Sequence, residues 1–226
     1  MNKIIVFICI IFITACNNNE KTATKQAAAI DNKEKNPTPV AAKTILFFGN
    51  SLTAGYGLEP EQSFPALIGK KIDSLQLSYK VVNAGVSGET SSGGEGRIDW
   101  ILKQPVDVFI LELGANDGLR GIPVAETKKN LQAIITKVKA KYPNARLVLA
   151  GMQVPPSMGQ KYAADFQSLY PQLAKQNDIT LIPFLLEGVG GNVKLNQQDG
   201  IHPNAEGAKI VAENVWQQLQ KVLKEV

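Results

Sequence analysis

A single histidine lies near the C-terminus, in the stretch DGIHPN, and it is the only imidazole among 226 residues. His202 follows Asp199 by three positions, and a turn over that distance can bring the carboxylate to one nitrogen of the ring. The carboxylate would fix the tautomer and leave the other nitrogen free to accept a proton from a serine. The pair therefore predicts acid–base chemistry in support of a nucleophile.

Possible partners of this pair follow three apolar runs that read as strands. Ser51 lies in FFGNSLTAGYG, Gly88 in NAGVSGETSSGG and Asn116 in LELGANDGLRG. Ser51 could offer a hydroxyl, Gly88 a backbone N–H that faces an anion, and Asn116 a side-chain amide. Each segment taken alone is also an ordinary turn, because glycine, serine, asparagine and aspartate are common turn residues.

The elements that must position these residues alternate along the chain. Strands that alternate with crossover helices indicate a parallel sheet with helices on both faces, and continuous apolar runs indicate strands buried on both faces. In such folds the ligand lies beyond the carboxyl ends of the strands, so the three loops are expected to converge there. The predicted strands are Lys43–Gly49, Tyr79–Gly85, Val106–Gly114, Ala145–Gly151 and Ile179–Phe184, and the predicted helices are Phe64–Leu75, Arg97–Lys103, Val124–Tyr142, Tyr162–Gln176 and Ala205–Lys224.

The first 42 residues have a different character. One lysine and an apolar run of about ten residues, half of what a bilayer-spanning helix needs, predict an export signal over residues 1–15. The sequence ITAC resembles a bacterial lipobox, in which Cys16 would be acylated; the alternative is a plain secretory signal. Residues 16–42 are polar and lack aromatic side chains, which predicts a flexible tether. We therefore expect an exported lipoprotein, held on the periplasmic or cell-surface side of a bacterial membrane, with its folded domain at 43–226.

Composition narrows the classes of partner. The formal charge is only +4, the lysines are scattered, and no arginine-rich or aromatic-interleaved stretch suggests a nucleic-acid groove. A single histidine without a thiol cluster does not supply the ligands of a catalytic zinc, so no metal is predicted. The glycine-rich stretches match neither phosphate-binding pattern, and no cofactor is implied.

Four ordered blocks carry a resemblance to a known family. FFGNSLTAGYG, VSGETS, ELGANDGLRG and DGIHPN resemble the sequence blocks of GDSL or SGNH hydrolases, in particular the bacterial thioesterase, arylesterase and lysophospholipase branch. The resemblance covers essentially all of Lys43–Val226. It implies a three-layer α/β/α, flavodoxin-like fold with five parallel strands, and hydrolysis of acyl esters.

The same resemblance assigns roles to individual residues. It implies that Ser51 is the nucleophile and that Asp199 and His202 complete a triad with it. It further implies that Gly88 and Asn116, together with the Ser51 backbone N–H, hold the oxyanion. No cofactor belongs to this arrangement.

One residue departs from the family pattern, since the usual Gly-Asp-Ser-Leu is Gly-Asn-Ser-Leu here. Asn50 keeps a carbonyl acceptor but loses a charge, so hydrogen bonding in the turn and pKa tuning near the site are expected to differ. The α/β-hydrolase alternative needs the motif Gly-x-Ser-x-Gly, whose second glycine is replaced here by Thr53. The sequence therefore disfavours that fold.

Three questions about activity and substrate stay open at this stage. A non-catalytic lipoprotein could use the same cleft to bind acyl chains or glycans, and a carbohydrate O-acetyl esterase could use the same residues. Met152, Val154 and Met158 follow the fourth strand and could either line an acyl cleft or belong to the core. An exported enzyme does not meet cytoplasmic acyl-CoA, so lysophospholipids and other short to medium acyl esters are favoured over thioesters.

Overall fold

A computed structural model describes residues 42–224, so the predicted signal, Cys16 and all but the last residue of the tether lie outside the described part. Five strands form one sheet in which every neighbouring pair is parallel. The order is β2-β1-β3-β4-β5, which is the flavodoxin-like order and confirms the predicted fold class. The strands are β1 (Lys43–Gly49), β2 (Tyr79–Gly85), β3 (Val108–Glu112), β4 (Arg146–Ala150) and β5 (Thr180–Ile182).

Helices cover both faces of the sheet. The helices are α1 (Ser51–Ala54), α2 (Phe64–Ser74), α3 (Ser91–Ile101), α4 (Ala115–Leu119), α5 (Val124–Lys141), α6 (Gln160–Asn177) and α7 (Ala205–Lys224). Helix α2 contacts α7, whereas α3 contacts α5 and α5 contacts α6. Right-handed crossovers put the first pair on one face and the other three on the opposite face. Across residues 42–224, none of the helices is both long enough and apolar enough to cross a membrane.

The core is centred on the inner strands. Every residue of β3 is buried, and so are six of the seven residues of β1. The prediction that all strands are buried on both faces is wrong for β2 and β5, whose residues are mostly half-exposed. These two strands lie at the edges of the sheet, where each has only one neighbour to cover it.

Three helical segments differ from the sequence prediction. Helices α1 and α4 occupy loops in which no helix was predicted, and α3 begins at Ser91 instead of Arg97. The early start of α3 has a tertiary cause, because the backbone N–H of Ser91 donates to the buried Asp117 carboxylate at 2.8 Å. A carboxylate at a helix N-terminus accepts the otherwise unpaired N–H groups there, which offsets the low helix propensity of the glycines that follow.

The strand order creates a crevice at one edge of the sheet. The connections from β1 and β3 run to opposite sides, so the loops that follow these two strands diverge and leave a gap between them. Ser51 follows β1, and Asn116 follows β3. The topology therefore brings two of the predicted site residues to the edge where ligands bind in this class of sheet.

Candidate active site

A sharp turn at the end of β1 presents Ser51. Asn50 is the N-cap of α1, and its side-chain oxygen accepts the Leu52 N–H at 2.9 Å. Gly49 must lack a side chain, because a Cβ there would lie 2.2 Å from the Thr53 hydroxyl oxygen and 2.5 Å from a Glu112 carboxylate oxygen. The turn can therefore rest directly on the end of β3, with Ser51 as the first residue of the helix.

The loop before α7 brings Asp199 and His202 to this serine. One Asp199 oxygen, Oδ1, accepts the backbone N–H groups of Ile201 and His202, each at 3.0 Å. The other oxygen, Oδ2, lies 2.7 Å from His202 Nδ1. His202 Nε2 lies 2.8 Å from Ser51 Oγ. The structure thus joins the three residues in one hydrogen-bonded line.

Two residues that the sequence reasoning missed hold this loop in place. Gln197 Nε2 donates to the carbonyls of Tyr56 at 2.7 Å and Pro203 at 3.0 Å, which ties the His202 loop to the segment after α1. The Tyr56 ring packs on the imidazole, with 4.7 Å between the ring centroids. No local sequence pattern predicts these contacts, because Gln197 and Tyr56 are separated by 141 positions.

The charge on Asp199 fixes the tautomer of the histidine. Burial on its own raises the pKa of the Asp199 carboxyl, but hydrogen bonds from the His202 backbone, the His202 ring and the Ile201 backbone outweigh it and lower the pKa to about 2. An ionised carboxylate is only an acceptor, so the neutral imidazole facing it carries its hydrogen on Nδ1. Nε2 is then free to accept the hydroxyl proton of Ser51.

Gly88 and Asn116 line the same cleft as Ser51 and His202. Gly88 has a φ of +79°, which favours glycine, and its carbonyl accepts from the Arg120 guanidinium at 3.0 Å. The Asn116 amide donates one hydrogen to the Glu89 carbonyl at 3.0 Å, and an amide has a second to offer. As the first residue of α1, Ser51 has a backbone N–H without an acceptor inside the helix.

The cleft itself has a volume of about 490 Å³, within the range of small-molecule sites. Of the three side chains whose place the sequence left open, Met152 and Val154 belong to the core and also line the cleft, whereas Met158 packs against the core and is not part of the lining. Among residues 42–224, no group of three His, Cys, Asp or Glu side chains is placed to hold a metal ion. Further apolar side chains that line the cleft are Leu119, Phe184, Leu186 and Ile201.

Comparison with known proteins decides the family. The model of the GDSL-like lipase/acylhydrolase family matches residues 47–210, which span the serine turn and the histidine loop. The chain belongs to this family. The resemblance seen in the four sequence blocks is thereby confirmed, and the protein is a carboxylic ester hydrolase of the GDSL type.

Named relatives agree with this assignment. The esterase TesA of Pseudomonas aeruginosa is 40% identical over 184 residues, covering 81% of this chain and 90% of that protein. Thioesterase 1/protease 1/lysophospholipase L1 of Escherichia coli is also 40% identical over 184 residues, covering 81% and 86%. The crystal structure of the psychrotrophic esterase EstA from a Pseudoalteromonas species, inhibited by monoethylphosphonate, superposes with a TM-score of 0.75. It is 35% identical and covers 80% of this chain and 99% of EstA.

Proposed function

We propose that this GDSL hydrolase cleaves acyl esters through a covalent acyl-enzyme on Ser51. The observation that carries the proposal is the line of two short hydrogen-bond contacts, 2.8 Å from Ser51 Oγ to His202 Nε2 and 2.7 Å from His202 Nδ1 to Asp199. Such a line lets a weakly nucleophilic hydroxyl lose its proton as it attacks. A protein that only bound acyl chains would have no use for it.

In the first half of the reaction, Ser51 Oγ attacks the ester carbonyl carbon while His202 Nε2 takes the hydroxyl proton. The carbonyl oxygen becomes an oxyanion, which accepts hydrogen bonds from the Ser51 and Gly88 backbone N–H groups and from the Asn116 amide. Collapse of this intermediate breaks the bond to the leaving alcohol, and His202 gives that alcohol its proton. Asp199 stays ionised and stabilises the imidazolium meanwhile.

The second half repeats these steps with water. His202 takes one proton from a water molecule, whose oxygen attacks the acyl carbon on Ser51, and the same three donors hold the oxyanion. The bond to Ser51 Oγ breaks, and His202 returns the proton to the serine. The carboxylic acid leaves, and the enzyme is restored without any cofactor.

The cleft favours an acyl chain longer than acetyl. Its apolar lining, which includes Met152, Phe184 and Leu186, offers a surface on which methylene groups lose contact with water. Lysophospholipids and aryl esters of short to medium acids combine such a chain with an accessible ester. The Escherichia coli relative carries lysophospholipase in its name, which supports the same substrate class.

A series of p-nitrophenyl esters from acetyl to palmitoyl tests this proposal. We expect kcat/KM to rise up to about fourfold per added methylene, since burial contributes about 0.8 kcal/mol each, and to stop rising when the cleft is filled. Leu119→Ala should weaken the preference for longer chains and leave acetyl hydrolysis nearly unchanged. A sharp optimum at acetyl would contradict the lipid-ester assignment in favour of an O-acetyl esterase, and failure to hydrolyse any member would contradict the proposed activity.

We also propose that Cys16 carries a lipid that anchors the domain to a bacterial membrane. The support comes from the ITAC sequence and from the polar composition of the segment after it, which is typical of a tether. The substrate would then be met outside the cytoplasm.

Partition between detergent and water tests the anchor. We expect the protein expressed in a bacterium to enter the detergent phase of Triton X-114, and Cys16→Ser to move it to the aqueous phase. Cys9→Ser is the matched control and should partition like the wild type. Aqueous partition of the wild type, or detergent partition of Cys16→Ser, would disprove the anchor.

A further inference from the structure

A fully buried carboxylate lies beneath the turn that carries Ser51. Glu112 is the last residue of β3, is paired across the sheet with Gly49, and has no solvent exposure. Four donors converge on it, and all four come from two residues of the serine turn. They are the Asn50 backbone N–H at 3.1 Å and side-chain amide at 2.7 Å, and the Thr53 backbone N–H at 3.2 Å and hydroxyl at 2.8 Å.

These contacts decide which way the Asn50 amide faces. Its Nδ2 donates to Glu112 Oε1, so its Oδ1 must turn toward the opposite side. There Oδ1 accepts the Leu52 N–H at 2.9 Å and lies 3.4 Å from Ser51 Oγ. A flipped amide would aim a carbonyl oxygen at the carboxylate and an NH₂ group at the Leu52 N–H, which loses both hydrogen bonds.

We propose that Glu112 is a positioning residue for the nucleophile, acting by fixing the Asn50 amide so that its oxygen caps the turn beside Ser51. The proposal rests on the role of Ser51 in the proposed function. Glu112 touches neither the cleft nor the substrate, and its influence passes through Asn50 and Thr53. With the turn held, Ser51 Oγ stays on His202 and the Ser51 N–H keeps its direction.

The asparagine at position 50 suits this arrangement better than an aspartate would. With an aspartate there, two carboxyl groups would meet at the distance of the present 2.7 Å contact and would have to share a proton. An amide donates at every pH. Burial raises the pKa of Glu112 to about 7, against the hydrogen bonds from Thr53 and Asn50, so the carboxylate form prevails in mildly alkaline solution.

Few other charged or titratable groups approach this network. Arg97 on α3 donates to the Gly49 carbonyl at 3.4 Å, and His202 lies beyond Ser51. Tyr170 on α6 donates to the Leu113 carbonyl, and burial, together with the charges of Asp117 and Glu112, holds the pKa of its hydroxyl well above the ordinary value. Tyr170 therefore stays protonated in the range where the experiment is run.

A double-mutant cycle at pH 8 tests the proposal. In Glu112→Gln, the oxygen of the new amide can still accept from the Asn50 N–H, the Thr53 N–H and the Thr53 hydroxyl. Its NH₂ group, however, faces the NH₂ group of Asn50, so the Asn50 amide must flip. We expect kcat to fall about tenfold or more, the equivalent of one lost charge-assisted hydrogen bond, with KM unchanged. Adding Asn50→Asp reverses the pair, because the new amide donates to the new carboxylate, and kcat should return to within about threefold of wild type.

The pH profile of Asn50→Asp alone gives a second readout. Its two carboxyl groups hold a shared proton, so kcat should fall as the pH rises and that proton is lost. The wild type and the double variant should lack this alkaline loss. A purely structural role would lower thermal stability without producing it. Glu213→Gln, which removes an exposed carboxylate bound to Lys71, is the matched control and should behave as wild type.

The outcomes separate this proposal from the proposed function. A double variant no better than the poorer single variant overturns the positioning role, and so does an Asn50→Asp enzyme without an alkaline loss. If Glu112→Gln does not fold, the Asn50→Asp profile alone decides. The proposed function would fail on a different result, namely wild-type hydrolysis by Ser51→Ala. That variant is not part of this double-mutant cycle.

Discussion

Replacing Ser51 with alanine is expected to lower kcat for a p-nitrophenyl ester by about 10⁶-fold, because members of a triad act as a unit. The variant has no oxygen to attack the carbonyl, and His202 has no proton to accept. The cleft and all three oxyanion donors stay in place, because the substitution keeps the backbone N–H of residue 51, so the residual rate should still exceed that of the uncatalysed reaction. Initial rates at saturating ester measure the loss.

Covalent labelling provides the control for this experiment. A fluorophosphonate probe should modify the wild type on the peptide that contains Ser51 and should leave Ser51→Ala unmodified. Ser74→Ala removes a hydroxyl that only bonds the Lys71 carbonyl, and it should label and hydrolyse as the wild type does. Hydrolysis by Ser51→Ala at the wild-type rate would exclude the acyl-enzyme, and an unlabelled wild type would favour a binding protein.

The sequence brings the predicted triad residues together because the cues for their positions are local, while the role of Ser51 as nucleophile comes from the family resemblance. Asp199 and His202 lie within one turn, and the backbone hydrogen bonds of that turn are the ones a spacing of three allows. Ser51 and Asn116 each follow a strand, and parallel strands end at the same edge of a sheet. The positions of Ser51 and Asn116 in the fold then follow from the alternation of strands and helices.

Glu112 shows where such reasoning stops. Its residue type and place at the end of an apolar strand are visible in the sequence, but its partner Asn50 is 62 positions away. The pairing depends on the register between β1 and β3, in which Gly49 lies opposite Glu112. Register is set by packing across the whole sheet. The departure from the family pattern at Asn50 is therefore visible in the sequence, but the pairing of Asn50 with Glu112 is not.

One short segment holds the other loops of the site. The residues from Glu112 to Asp117 supply Asn116, and the two buried carboxylates at their ends bind different neighbours. Glu112 accepts from the turn after β1, and Asp117 accepts from Ser91, which follows the Gly88 loop after β2. The regular backbone pairing ends with the strands, and only single backbone bonds, such as that from the Val86 N–H to the Gly49 carbonyl at 2.9 Å, continue it, so side-chain acceptors add the remaining links between the loops. The predicted oxyanion donors are thus set relative to one another by buried carboxylates that lie outside the reaction.

Asp199→Asn is expected to lower kcat by about 10⁴-fold while the loop keeps its shape. The asparagine oxygen can still accept the Ile201 and His202 backbone N–H groups, but its amide would present hydrogens to His202 Nδ1. The ring would then place its own hydrogen on Nε2, where it cannot accept the Ser51 proton. The steady-state kcat values of the wild type and of Asp199→Asn at pH 8 measure the effect.

Stability against pH supplies an independent readout for the same variant. Hydrogen bonds to the carboxylate lower the pKa of Asp199 from 3.8 to about 2, so they stabilise the fold fully above about pH 4 and are lost as the pH falls toward 2. The difference in unfolding free energy between wild type and Asp199→Asn should therefore shrink over that interval. Asp165→Asn, which removes an exposed partner of Lys161 on α6, is the matched control and should retain wild-type kcat. If Asp199→Asn also retained it, the carboxylate would not orient His202, and a dyad of Ser51 and His202 would have to account for the chemistry.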